Sequence, residues 1–248
     1  AKPLVLAPPP PALFLLQAFQ AVDNQLYDLN FKLRSSAAEP QEIVIVAIDP
    51  ASLDKLGRWP WPRLYHAEIL REIARNGAKV IGVDIGFFEP DREVPENDRE
   101  LVAATLEAGN VVYPLVVGNL GGEEETHLYR FKNLPDLTKA AAAMGHVHIE
   151  SSADGIVRKV YLSETLAGEQ VWSWALEVLR GYLDLPPEEV RRLGAGKLAI
   201  GNIIIPVQEA PAQAKDHAVF LHDYEMHVNF TGPAGNVEYI PAYKVIDG

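Results

Sequence analysis

Two aspartates, each at the end of a short apolar run, have the clearest capacity for chemistry in this chain. Asp49 follows the run at residues 43–48, and Asp84 lies near the end of a second run at residues 79–85. Two carboxylates that meet at one end of a sheet can bind Mg²⁺ and support hydrolysis or phosphoryl transfer. Asp49 also has a structural interpretation, because Pro50 and a helix-like run follow it and make it a natural helix N-cap.

The loop between the two aspartates reads GRWPWPR at residues 57–63 and is rich in bulky, rigid residues. Trp59, Trp61 and Arg63 are candidates for contacting a small ligand, because indole rings and a guanidinium bind aromatic and anionic groups. The two prolines fix the backbone that presents these side chains. The tryptophans equally suit a hydrophobic lid over the core. Arg158, near a second turn, is a further candidate for binding an anionic group.

The segment between the two apolar runs has the pattern of a crossover helix. Apolar residues recur near helical spacing, and an Asn-Gly pair at residues 76–77 provides a helix end. The β-branched runs on either side are typical of strands buried on both faces. A strand, a crossover helix and a second strand form a right-handed unit whose strands are parallel and usually neighbours. Asp49 and Asp84 are therefore predicted side by side at the carboxyl edge of the sheet, where open α/β sheets bind ligands.

The rest of the chain predicts one more helix–strand step and then hairpins. A helix over residues 98–108 and a strand over residues 110–117 continue the alternating order. The Asp-Gly pair at residues 154–155 predicts a hairpin, and the Gly-Asn pair at residues 201–202 predicts a second one. The predicted fold class is α/β, with a central mixed sheet, a parallel βαβ amino-terminal core, an antiparallel hairpin-rich carboxyl half and a long amino-terminal helix.

An apolar heptad stripe marks that amino-terminal helix. Its members are Leu15, Phe19, Val22, Leu26, Leu29 and Leu33. Alternating steps of four and three residues favour the left-handed pairing of two helices, and hence a homodimer. The alternative is that the stripe packs on its own domain. The predicted division is a proline-rich spacer at residues 1–12, a juxtamembrane or dimerisation helix at residues 13–34 and a single domain at residues 35–248.

Composition excludes several classes of function. The formal net charge is −12, from 34 acidic and 22 basic residues, and such a surface repels nucleic acid. The chain has no cysteine, which rules out disulfides, thiolate metal sites and a cysteine nucleophile. His146 and His148 share one strand face, but no third ligand stands at useful spacing, so neither a metal site nor a cofactor is predicted. The sequence contains no apolar run of about twenty residues that would span a bilayer.

Motifs of the common enzyme classes are also missing from the sequence. It has no glycine-rich phosphate loop, no nucleophile elbow and no His-Glu-x-x-His pattern. No catalytic residue is therefore predicted, and the chain itself is not expected to be an enzyme.

Several segments in a fixed order carry a family resemblance. They are LYDLNFKLR at residues 26–34, VAID at 46–49, GRWPWPR at 57–63, VIGVD at 80–84, FEPD at 88–91, DGIVR at 154–158, VNFTGP at 228–233 and YKVIDG at 243–248. Together they resemble the second type of CHASE domain, the cyclase- and histidine-kinase-associated extracellular sensory domains of bacteria. The resemblance covers the chain from about Asp23 onward, and the tryptophan–proline loop makes it specific.

The resemblance implies an excised input domain of a signal-transduction receptor. A transmembrane helix would precede it, further transmembrane helices would follow, and the cytoplasmic output would be an adenylate or guanylate cyclase, a histidine kinase or another protein kinase. The domain would lie on the extracytoplasmic face of a bacterial membrane, periplasmic or at the cell surface, and respond to an unknown small-molecule or protein signal. Two alternatives stay open: a Mg²⁺-dependent hydrolase or phosphotransferase using Asp49 and Asp84, and a dimerisation scaffold that senses nothing.

Overall fold

A computed structural model describes residues 11–33, 42–119, 128–131, 133–152, 154–166, 169–194, 196–209, 220–233 and 235–247. The helices in these ranges are α1 Pro11–Leu33, α2 Pro50–Leu56, α3 Arg63–Arg75, α4 Pro95–Ala108, α5 Pro135–Ala140, α6 Trp174–Tyr182 and α7 Ala242–Asp247. The strands are β1 Val44–Ala47, β2 Ile81–Gly82, β3 Val111–Asn119, β4 Leu128–Phe131, β5 Ala143–His146, β6 Lys159–Leu166, β7 Glu169–Trp172, β8 Val190–Gly194, β9 Lys197–Ile200, β10 Ile203–Pro206, β11 Gln208–Glu209, β12 Phe220–His227 and β13 Glu238–Pro241.

Parallel and antiparallel pairing separate along the chain, which confirms the predicted α/β class. In the first sheet β3 pairs in parallel with both β2 and β5, and antiparallel with β4. Two further sheets are antiparallel, with strand orders β11-β12-β6-β7 and β10-β9-β8. Strands β1 and β13 form a two-stranded ribbon.

The ribbon corrects the predicted neighbour of the first strand. Strand β1 pairs with β13 near the carboxyl end, and the parallel neighbour of β2 is β3, reached through α4. The strands before Asp49 and Asp84 are therefore not a hydrogen-bonded pair. The error came from reading β-branched composition as burial on two faces. In the structure Val44 and Ile45, which point to opposite faces of the strand, are both exposed.

The two predicted hairpins had different outcomes. The Gly-Asn pair at residues 201–202 does join β9 to β10 in antiparallel register. The Asp-Gly pair at residues 154–155 forms a tight turn, with Gly155 at φ 79° and its N–H donating to the Ser152 carbonyl at 2.8 Å. The Ser152 N–H also donates to the Ile156 carbonyl across the turn at 2.9 Å. The strands on either side have other partners, because β5 joins the parallel sheet and β6 joins β12 and β7.

The chain divides into two compact units. The smaller consists of Ala1–Val44 and Asn229–Glu238, and its described contacts include a ring pair between Phe31 of α1 and Phe230, with centroids 5.9 Å apart. The larger consists of Ile45–Val228 and Tyr239–Gly248. None of the helices in the described ranges combines the length and the apolar character needed to cross a membrane.

The larger unit has two apolar cores. The first lies between the parallel sheet and helices α3 and α4, and its buried residues include Ala67, Leu101 and Tyr113. The second gathers residues of β6, β9, β12 and α6, such as Leu162, Ile200 and Leu176. Helix α6 also packs on the parallel sheet, where the Trp174 indole N–H donates to the Val112 carbonyl at 3.2 Å. Helix α6 therefore contributes to the second core and also contacts the sheet of the first, and the chain between β5 and β6 joins the two sheets.

Candidate functional site

Asp49 has the capping role in the structure. Its Oδ1 accepts a hydrogen bond from the Ser52 backbone N–H at 2.8 Å, at the start of α2. Hydrogen bonds with Ser52 lower the pKa of the Asp49 carboxyl, as expected for an N-cap aspartate. Asp84 is exposed and follows β2, which pairs with β3 and not with β1. The Mg²⁺ hypothesis assumed that Asp49 and Asp84 follow neighbouring paired strands, and the structure does not have this pairing. The described residues also contain no group of three or more His, Asp or Glu side chains placed to hold a metal ion.

The tryptophan–proline loop combines a buried ring with an exposed one. Trp61 is buried, and its indole N–H donates to the Gly57 carbonyl at 2.7 Å, which closes the loop on itself. Trp59 is 38% exposed, and its ring centroid lies 5.7 Å from that of Trp61; the Trp59–Pro60 peptide bond is cis. Trp61 therefore acts as a lid residue of the core, while Trp59 presents part of its ring to solvent.

Behind the loop the aromatic contacts continue into the core through a buried histidine. The His66 ring lies 5.5 Å from Trp59 and 5.2 Å from Phe87, and Phe87 contacts Tyr113 at 6.3 Å. Burial lowers the pKa of His66 to about 4, with a further contribution from the Arg63 charge, so this imidazole is neutral at physiological pH. The Tyr113 hydroxyl and the Thr105 hydroxyl share a hydrogen bond of 2.9 Å.

Arg63 organises the acidic connector before α4. Its Nε lies 2.6 Å from Asp98 Oδ1, and its Nη2 donates to the Glu89 carbonyl. Asp98 in turn accepts from the Asp91 backbone N–H at 2.8 Å through its other oxygen. The guanidinium carbon also stands 5.7 Å from the centroid of the Phe87 ring. These contacts give Arg63 a structural role that sequence reasoning did not predict.

Arg158 has a similar role at the turn before β6. Its side chain is buried, and its two terminal nitrogens donate to the two carboxylate oxygens of Asp154 at 3.0 and 2.7 Å. This bidentate pair lowers the pKa of Asp154 to about 2. The Arg158 carbonyl accepts from Val228 at 2.9 Å, so the turn is tied to the end of β12.

The structure brings a different set of ionisable residues together, at the passage from β5 to β6. Glu164 of β6 is fully buried, and its Oε1 lies 2.7 Å from His148 Nδ1. Its Oε2 lies 3.6 Å from Nδ1 of His146, which is also buried. The Glu164 hydrogen bond, with its negative charge, raises the pKa of His148. We call His146, His148 and Glu164 the histidine–glutamate cluster.

Two residues extend this cluster towards solvent. His148 Nε2 lies 3.8 Å from Glu150 Oε1, and the Tyr161 hydroxyl donates to Glu150 Oε2 at 2.7 Å. The His148 and Tyr161 rings are 5.6 Å apart. A row of ionisable groups therefore leads from the partly exposed Glu150 to the buried Glu164 carboxylate.

Sequence reasoning found only part of this cluster. It placed His146 and His148 on one strand face by their period of two, but it missed Glu164. A signal was available, because Val160, Leu162 and Glu164 alternate along β6, so the glutamate occupies a position of the apolar face. A charged residue in such a position is buried only with partners.

Helix α1 presents a second surface. Its heptad residues Val22, Leu26, Leu29 and Leu33 are between 46% and 76% exposed. The half-buried residues lie on the opposite face, where the Tyr27 and Phe31 rings meet at 4.9 Å. The side chains of Leu15 and Phe19, the other predicted members, lie outside the described residues. Where it is described, the stripe is thus not covered by its own domain.

Comparison with known families gives one match. A family model described as the CHASE2 domain matches residues 5–247, which is almost the whole chain. No curated protein matches the chain, and neither does any solved structure.

Proposed function

Because this chain belongs to the CHASE2 domain family, a family of extracellular sensory domains, we propose that it is the input domain of a membrane-bound signalling receptor. In this proposal the domain passes its state through its flanking segments to a cytoplasmic cyclase or kinase. The family is sensory and not catalytic, which supports the prediction that the chain itself has no enzymatic activity. The signal is a small molecule or a protein on the extracytoplasmic side of a bacterial membrane.

The pairing of β1 with β13 is the observation that carries this proposal. Strand β1 is the first strand of the larger unit and β13 the last, and the two are hydrogen-bonded partners. Their continuations also meet, because α2 packs on α7 and the Tyr243 backbone N–H donates to the buried Ser52 hydroxyl at 3.2 Å. The first and last elements of the larger unit are therefore in contact, which supports the proposal that a change in the domain is passed to both flanking segments.

The exposed stripe of α1 supports a homodimer as the signalling assembly. A stripe with heptad spacing fits a second copy of itself better than it fits a partner of other geometry. The residues beside the stripe are Asp23, Gln25, Asn30 and Lys32, and in a parallel pair they place no two like charges opposite each other. A parallel arrangement also suits two receptors that stand in the same membrane.

Disulfide crosslinking on this helix tests the proposal. The chain has no cysteine of its own, so single cysteines can be introduced at Leu29 in the stripe and at Asp23, equally exposed but beside it. In the intact membrane-bound gene product we expect L29C to crosslink on mild oxidation far faster than D23C. We also expect the crosslink to change the cyclase or kinase activity of the output domain, and reduction to restore it.

The possible results separate the competing functions. A crosslink at Leu29 that leaves the output activity unchanged would support a dimerisation scaffold that senses nothing. Equal crosslinking at both positions would contradict the parallel helix pair. For the location of the domain, a membrane-impermeant maleimide should label D23C in intact spheroplasts, and labelling only after lysis would contradict an extracytoplasmic position.

A further inference from the structure

A fully buried carboxylate between two histidines is the least expected feature of the larger unit. Glu164 belongs to β6, in the antiparallel sheet, and faces His148 at 2.7 Å and His146 at 3.6 Å. A buried carboxylate is costly unless it is paired and hydrogen-bonded. The Glu164 carboxyl therefore has two histidines as polar neighbours in the protein interior.

The cluster joins two sheets that share no strand. His146 is the last residue of β5, which pairs in parallel with β3, and His148 follows two residues later. Glu164 stands on β6, which pairs with β12 and β7. The contact between His148 and Glu164 thus links the end of the parallel sheet to the antiparallel sheet.

The described neighbours of His148 come from its own segment and from β6. His148 faces Glu164 of β6 on one side and Glu150, from its own segment, on the other. Tyr161, beside it on β6, donates to Glu150, and burial together with nearby carboxylates raises its pKa, so it stays protonated. Lys159 and Glu225 pair with each other farther along β6 and β12. Glu164 and Glu150 act in the same direction on His148, since both favour its cationic form.

From this geometry we propose that the histidine–glutamate cluster is a proton-responsive latch between the two sheets of the larger unit. Protonated His148 holds the segment after β5 against β6 through a charged hydrogen bond to Glu164. Loss of that proton leaves the buried carboxylate with a weaker partner and loosens the link. If the domain is the input module proposed above, the proton is then one of its signals, since His148 is partly exposed on the extracytoplasmic side.

The path from the latch to the flanks follows the chain. Strand β6 pairs with β12 along most of its length, from the Phe220–Leu166 pair to the His227–Lys159 pair. Val228, the next residue, donates to the Arg158 carbonyl. The chain then continues through residues 229–238 to β13, the strand that pairs with β1. Strand β12 is thus the hydrogen-bonded neighbour of β6 that leads along the chain to the outgoing segment.

The sign of the pH effect follows from the direction of the shift. The pKa of His148 in the folded protein lies above 6.5, the ordinary value for a histidine. Its interaction with Glu164 is therefore complete below pH 6.5 and is lost as pH rises through the higher folded pKa. The latch is closed below this folded pKa and open above it.

The test uses the full chain and NMR titration of the histidine rings, together with amide hydrogen exchange. We expect the His148 ring to titrate clearly above 6.5, and amide protection at the ends of β5 and β6 to fall at least several-fold across the same pH range. In H148Q this pH dependence should disappear. H227Q, which removes a histidine of β12 outside the cluster, should keep it. E164Q should bring the His148 pKa down to 6.5 or below.

Two results would overturn the latch. One is a His148 ring in the wild-type protein that titrates at or below 6.5, which requires no variant to fold. The other is amide protection around β5 and β6 that is independent of pH, or equally pH-dependent in H148Q. Neither result affects the proposed input function, which is tested separately by crosslinking and output activity in the intact membrane protein.

Discussion

At the scale of single residues, two histidines have pKa values shifted in opposite directions by their surroundings. His66 lies among aromatic rings beside the Arg63 charge, and its pKa falls to about 4. His148 faces a buried carboxylate, and its pKa rises. The first histidine is therefore a neutral core ring, while the second is charged over part of the neutral range. Residue type alone predicts neither behaviour, because the decisive partners come from other elements.

His66 makes the stability of the domain sensitive to acid. The folded pKa of about 4 lies below the ordinary histidine value of 6.5, so the unfolded state binds more protons between these values and stability is lost as pH falls from 6.5 to about 4. The difference of 2.5 pKa units corresponds to about 3 kcal/mol. Urea unfolding at several pH values measures how much free energy of unfolding is lost between pH 6.5 and about 4. We expect this loss to be smaller in H66F by a corresponding amount. An equal loss in H66F and the wild-type protein would show that His66 is not the titrating group.

At the scale of elements, the approach of β5 to the start of α6 depends on a missing side chain. A Cβ at Gly145 would lie 2.4 Å from the Trp174 backbone nitrogen and 2.5 Å from its Cα. Backbone atoms at the start of a helix cannot move aside as a flexible side chain does. The sequence shows a glycine before His146 but not the helix that requires it, because α6 begins 29 residues later, at Trp174.

The G145A variant tests this close approach. Overpacking of a well-packed interior costs about 1 to 3 kcal/mol, and we expect a loss at the upper end because the clash is with backbone. G86A is the matched control, since its added methyl group meets only the ring of Phe88, which is 38% exposed and can rotate away. Urea unfolding of both variants measures the difference. Equal losses in the two would argue against the tight contact of β5 with α6.

At the scale of the whole molecule, the proposed assembly rests on the outward face of α1. The stripe of Val22, Leu26, Leu29 and Leu33 is exposed in a single chain, although its residues are those that heptad pairing would bury. A net charge of −12 does not by itself favour association, so the apolar stripe has to supply the attraction. Self-association is therefore expected to be sensitive to single changes within the stripe.

Sedimentation of the isolated chain over a range of concentrations measures this sensitivity. We expect L26E to raise the dissociation constant of the dimer at least about 100-fold, since each copy loses an apolar contact worth about 2 kcal/mol and gains a like charge. Q25E adds the same charge at the adjacent exposed position and should change the dissociation constant by less than about threefold. A wild-type chain that stays monomeric at the highest concentrations would contradict the proposal that the α1 stripe drives self-association.

The features read correctly from the sequence are those that depend on neighbouring residues. The long amino-terminal helix, the 201–202 hairpin and the capping alternative for Asp49 each follow from spacings of a few positions, and the mixed α/β class follows from their order. The family resemblance rests on short segments of the same kind. The features that the sequence did not predict depend on long-range contacts. Strand β1 pairs with β13 and not with β2, Arg63 pairs with Asp98, and Glu164 contacts His148. Such partners lie far apart in the chain, and many pairings satisfy the same local pattern, so packing of the folded chain alone selects among them.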